Sequence, residues 1–156
     1  DATSGVRMTR LEATQRHVSV GDTIECRGEI YVDRAMPYLR LEATYRSQPD
    51  NRMHQHSRAV IEGMTFYRSV MVPAGDTLRD GGAFEYRLIV ENNRFLGDFD
   101  LVISAVDERD SEILAESWTE MRVGAVRPEG YPGPVLAVHW TVTPLDPDSD
   151  AAGTIR

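Results

Sequence analysis

The chain has 156 residues, 41% of them hydrophobic, and a formal net charge of −8 at pH 7. That is one domain's length, able to bury about 70% of its unfolded surface and so to fold without staples. The acidic balance opposes sequence-independent binding to nucleic acid or anionic lipid, and no apolar run is long enough to cross a bilayer.

All 17 cationic side chains are arginine, a coding bias rather than a mechanism. There is no signal-peptide pattern, but the chain opens on Asp1 instead of methionine. That points to a processed product or a piece of a longer chain, so the missing signal says little about compartment. A single cysteine, Cys26, makes no internal disulfide and argues against a cysteine-based metal site. It falls on the inward face of an expected strand, where inert burial is its role.

In chain order, residues 1–5 read as a frayed end and residues 6–13 as an edge strand. Residues 18–22 are a short extended run into a turn. Residues 23–32 alternate, with Ile24, Cys26, Ile30 and Val32 on one face and Thr23, Glu25, Arg27, Glu29 and Tyr31 on the other, which predicts a strand with one buried side. Gly28 marks a bulge in it. Residues 38–46 form the next strand, with Leu39, Leu41, Ala43 and Tyr45 inward. Residues 47–51 are a turn around Pro49. A weak strand at residues 53–60 and a second alternating run at residues 64–72 follow, and a glycine-rich loop at 75–82 leads on.

Residues 84–123 carry the strongest pattern and should be the centre of the fold. Phe84, Tyr86 and Leu88 alternate with Glu85 and Arg87. Phe99, Leu101, Ile103 and Ala105 alternate with Asp98, Asp100, Val102 and Ser104. An acidic turn at residues 107–112 leads into a third strand to Val123. After a Pro/Gly segment that cannot continue a ladder, residues 135–142 read as one more strand, apolar on both faces. Such a strand wants cover on both sides, by return to its own sandwich or by crossing to a second copy. The fold class is therefore all-β, an antiparallel immunoglobulin-like sandwich spanning residues 1–145. Residues 134–145 are the terminal strand, exchanged between copies in one of the two readings, and residues 146–156 are a disordered acidic tail.

Catalytic patterns are missing. No Gly-x-Ser-x-Gly elbow, phosphate loop or dinucleotide turn appears, so the chain is read as no enzyme and without a cofactor. His54 and His56 share a strand face but have no third ligand at matching spacing, so no metal site is assigned. Asp107, Glu108, Asp110 and Glu112 crowd one turn without the spaced ligands and mid-loop glycine of a calcium loop, and read as a solvated hairpin tip.

The most informative feature is an outward face. In an immunoglobulin-like order, the strands beginning at Tyr38, Asp98 and Ile113 are neighbours in one sheet. Their outer side presents Tyr38, Arg40, Glu42, Thr44 and Arg46, then Asp98, Asp100 and Ser104, then Glu116, Trp118 and Glu120. An aromatic ring among planar polar groups suits a sugar: the ring stacks on the apolar pyranose face and the polar groups take its hydroxyls. The candidate binding residues are Trp118 for stacking, with Arg40, Glu42, Asp100, Ser104 and Tyr38 around it. The bland alternative is an ordinary strand face with a partly covered tryptophan.

Several segments then fall into a known order. Met8-Thr9-Arg10-Leu11-Glu12 and Val18-Ser19-Val20-Gly21-Asp22-Thr23-Ile24 open it. Phe84-Glu85-Tyr86-Arg87-Leu88, Phe95-Leu96-Gly97-Asp98-Phe99-Asp100-Leu101 and Ala105-Val106-Asp107 make its centre. Met121-Arg122-Val123 and Gly133-Pro134-Val135-Leu136-Ala137-Val138-His139-Trp140 close it. In this order they resemble the C-terminal carbohydrate-recognition domain of Wzt-type ATP-binding subunits, which serve ABC transporters that export O-antigen and related polysaccharides. The resemblance covers most of residues 8–140 and departs around 36–49 and 75–82. It implies an immunoglobulin-like homodimer that exchanges its last strand. It also implies a cytoplasmic place at the inner face of the membrane, held to the transporter's membrane subunit through an ATPase domain this chain lacks. A lipid-linked glycan would be the partner. Two other readings remain: an immunoglobulin-like or arrestin-like protein-interaction domain, and an accessory domain of a hydrolase.

Overall fold

Alternation along each strand gives a sheet one dry face, and two dry faces closed on each other make a sandwich. The computed structural model describes residues 4–47, 68–71, 78–91, 97–124 and 137–145 and has this form. The described residues form ten strands: β1 Val6–Met8, β2 Glu12–Ala13, β3 His17–Ser19, β4 Ile24–Val32, β5 Leu39–Ser47, β6 Arg68–Met71, β7 Gly82–Glu91, β8 Gly97–Asp107, β9 Glu112–Gly124 and β10 Ala137–Pro144. They contain no α-helix.

One sheet runs β1-β4-β7-β10, with β2 also on β4; the other runs β3-β9-β8-β5-β6. Every pairing is antiparallel except β3 with β9, which is parallel. The stretch at 84–123 supplies interior strands to both sheets, β7 to one and β8 and β9 to the other. Their inward residues meet in one core with Tyr45, Phe99, Leu101 and Ile103 on one side and Ile30, Tyr86 and Leu88 on the other. The Tyr45 and Phe99 rings stack at 5.7 Å between centroids.

Three expectations are refined. The edge strand at 6–13 is two short pieces, because the backbone leaves β4 after Met8 and buries Leu11 between them. Thr9 fills the gap: its N–H donates to Glu29 O and its Oγ1 accepts from Glu29 N–H, each at 2.9 Å. Gly28 is not a bulge, since β4 and β7 pair without a shift from Ile24 to Val32. It is needed because Tyr86 lies over it; a Cβ there would stand 2.5 Å from Tyr86 Oη and 2.8 Å from Cζ. The register shift occurs instead between Ala105 and Val106 of β8, opposite Leu114.

β10 pairs antiparallel with β7 of its own chain, from Ala137 opposite Glu91 to Pro144 opposite Phe84. It is not covered on both sides. Val138, Trp140 and Val142 pack partly against the core, while His139, Thr141 and Thr143 are exposed, as suits a strand with one neighbour. The weak strand at 53–60 with His54 and His56, residues 48–51 of the expected turn and the tail at 146–156 lie outside the described residues. Of the run at 64–72, β6 is described as backbone pairing with β5.

Among the described residues no hydrogen-bond partner reaches the buried Tyr86 Oη. Burial pushes its ionisation upward, with Cys26 adding to the shift and Ser117 opposing it. Ser117 nevertheless donates its own proton to Thr9 O at 2.6 Å, and no bond of proper geometry reaches Oη. Removing an unpaired buried hydroxyl removes a desolvation cost. Tyr86→Phe should therefore raise stability by about 1 kcal/mol, and Gly28→Ala should lower it by about 1–3 kcal/mol through overpacking. Urea denaturation of both variants and of the pair measures this; the alanine should cost less beside phenylalanine, whose ring lacks the nearest atom.

Candidate functional site

The outer face of β5, β8 and β9 is built by register. Cross-strand rows place Glu42, Ser104 and Glu116 in line, then Thr44, Val102 and Trp118, then Arg46, Asp100 and Glu120. Leu39, Leu41, Ala43 and Tyr45 of β5 and Met121 and Val123 of β9 point inward, so period two turns Trp118 outward, where it is 52% exposed. Its cross-strand neighbour on the same face, Val102, is 1% exposed, so the indole has an apolar neighbour.

A cleft of about 730 Å³ opens beside Trp118. Its sheet wall carries Asp100, Glu116, Trp118 and Glu120. The other wall is Met8, at the end of β1, Thr9 and Arg10, from the link between β1 and β2, and Arg16, from the link between β2 and β3. That wall exists because the chain leaves one sheet after β2 and joins the other at β3. A shallower hollow of about 270 Å³ shares Arg16 and Glu120 and continues along β9 past Asp98 and Arg122. The two together run beside β9, with charged side chains around one exposed ring.

The expected site residues divide. Trp118 and Asp100 share the cleft. Arg46 approaches both Asp100 and Glu116 at 3.7 Å, a partly exposed bridge of modest strength that holds two carboxylates in place. Arg40 and Glu42 are occupied with each other, the guanidinium donating from Nε at 2.8 Å and from Nη2, and Glu42 is 9% exposed. Ser104, 6% exposed, donates to Glu116 Oε2 at 3.5 Å, at the limit of a hydrogen bond. These three sit on the expected face but outside the cleft.

Tyr38 lies elsewhere, at the β8–β9 hairpin. Its carbonyl accepts from Glu108 N–H, and the Arg109 guanidinium lies 4.4 Å from its ring centroid. With Arg34, Met36, Pro37 and Leu114 it lines a separate hollow of about 180 Å³. The acidic turn is an exposed hairpin tip. Asp107 accepts two bonds from the Arg109 side chain, at 3.1 and 2.7 Å, and one from its backbone N–H at 3.0 Å.

The charged cleft residues that the sequence pattern did not anticipate are Arg10 and Arg16. Both lie in links between very short strands, where no periodicity assigns a direction. Among the described residues no group of three His, Cys, Asp or Glu side chains could hold a metal. Cys26 is buried on the inward face, and desolvation, with a smaller contribution from Glu25, pushes its thiol up to about 12.

Comparison of the chain with protein-family models, with curated proteins and with solved structures returned no match. The site is therefore read from its own chemistry.

The hydrogen bonds from Arg109 hold the Asp107 carboxyl down to about 2. The folded value lies below that of an unfolded chain, so the contact favours the hairpin above the ordinary carboxylate range and is lost as pH falls towards 2. NMR titration should show Asp107 ionised at pH 3, and Arg109→Ala should return its midpoint to near 4.

Proposed function

We propose that the Trp118 cleft binds a polysaccharide and that the domain performs no catalysis. The observation that carries this reading is an exposed indole in a cleft lined by charged side chains along the β9 edge of a sandwich. An aromatic face offers a flat apolar platform, and carboxylates and guanidinium groups are acceptors and donors in fixed planes. A pyranose presents the complement, with C–H groups on its faces and hydroxyls around its rim. The continuation of the groove along β9 suits a linear polymer. Of the original residue set, Trp118 and Asp100 keep their roles in this reading, and Glu116, Glu120, Arg10 and Arg16 join them.

The strand order supports the immunoglobulin-like form of the fold. One sheet places β1, β4 and β7 side by side; the other places β9, β8, β5 and β6, with the first part of the chain divided between both. Together with the sequence resemblance, this favours a carbohydrate-recognition domain of a Wzt-type ATP-binding subunit. It would sit on the cytoplasmic side of a polysaccharide ABC transporter and take the glycan before export. Exchange of β10 between two copies fits its place as the last strand on β7 and its incompletely covered Val138, Trp140 and Val142.

One observation favours a protein-interaction domain instead. β3 pairs with β9 only from Arg122 to Gly124, and no strand among the described residues pairs that side of β9 at residues 112–121. An extended peptide could add there as a strand.

Titration of the full chain against a panel of bacterial polysaccharides, followed by tryptophan fluorescence, tests the main reading. Trp118→Ala should weaken binding about tenfold or more, the scale of a central aromatic anchor. Unchanged affinity removes the site; no glycan binding together with capture of an extended peptide favours the alternative. Light scattering over a concentration series should report a dimer, and a monomer throughout removes the exchange.

A further inference from the structure

Among the described side chains, most arginines are committed. Arg27, Arg40, Arg46, Arg79, Arg87, Arg109 and Arg122 each approach a carboxylate, and Arg7 stacks on Tyr31. Among the described side chains Arg10, Arg16 and Arg34 have neither kind of partner. Two of those three line the same wall of the Trp118 cleft. In a chain of net charge −8, guanidinium groups that stand near carboxylates and yet pair with none of them are against the local odds.

The opposite wall has the other character. Asp100, Glu116 and Glu120 line it, and Arg46 bridges the first two. The cleft is thus polarised across Trp118, with cationic forks on the links that cross between the sheets and carboxylates on the sheet face. A neutral sugar can bond to donors and acceptors on either wall and gains nothing from their separation. A sugar bearing one acidic substituent does. Its anion pairs with the guanidinium forks, whose planar geometry matches a carboxylate or a phosphate. Its hydroxyls donate to the carboxylates, and those carboxylates repel the anion from the wrong wall, fixing the ligand's direction.

We infer that the cleft selects an acidic glycan, with Arg10 and Arg16 as the specificity-determining residues for its carboxylate or phosphate. This rests on the glycan reading of the cleft and adds the class of sugar to it.

The test is calorimetric titration of the full chain with three probes: short galacturonate oligosaccharides, their carboxyl-reduced neutral counterparts, and galactose 6-phosphate. At least one acidic probe should bind about tenfold or more tightly than the neutral one, the scale of a charge-assisted hydrogen bond. The stronger of the two names the anion. The margin should shrink as salt rises. The double variant Arg10→Gln, Arg16→Gln changes two exposed side chains, so the fold should survive, as circular dichroism checks. It should erase the acidic margin, bringing the acidic probes down to the affinity of the neutral one, whereas Trp118→Ala should weaken every probe. Equal binding of acidic and neutral probes, or a margin that survives the double variant, overturns the inference. In either of those cases, neutral glycans binding through Trp118 would leave the glycan reading standing. If none of these probes nor any glycan of the wider panel binds, both fall.

Discussion

β8 is dry on both sides, and that condition organises the rest of the sandwich. From Leu101 to Val106 six consecutive residues are buried. A strand like this is stable only with a neighbour on each edge, a core below and cover above. β5 and β9 supply the edges, and the opposite sheet supplies the floor through Tyr86 and Leu88. Trp118 stands beside Val102 on the outer side and leaves about half of itself to solvent.

The phase of the long strands was legible in the sequence. Leu39, Leu41, Ala43 and Tyr45 in β5 and Phe99, Leu101 and Ile103 in β8 repeat every second residue, and a buried face makes that repeat unambiguous. The neighbour relation of β5, β8 and β9 followed once an immunoglobulin-like order was assumed. What escaped was decided by contacts distant in sequence. Gly28 is a glycine because of Tyr86, 58 positions later in the chain. The parallel pairing of β3 rests on three residues, too few to show a period. β10 appeared to need cover on both faces because its first apolar residues run together, yet from Val138 onward it alternates.

The candidate site was legible in its anchor and not in its perimeter. Outward polar residues on a strand stand two apart on one face, so neighbours of opposite charge satisfy each other. Arg40 and Glu42 do this, and Ser104 turns to Glu116 on the next strand. A list of outward charges thus overstates what remains for a ligand. The opposite error concerns Arg10 and Arg16. They lie where the backbone is irregular, and only the path of the chain between the sheets brings them to the tryptophan.

That path has a mechanical consequence. Residues 9–16 are stitched to both layers: Thr9 bonds to β4 and accepts from Ser117 of β9, Thr14 N–H donates to Glu25 O, and Arg16 O accepts from Arg122 N–H. The segment acts as a strap across the open flank of two plates. A guest gripping both the strap and the tryptophan plate would lock the plates against sliding, and occupancy would be felt as stiffness well away from the point of contact.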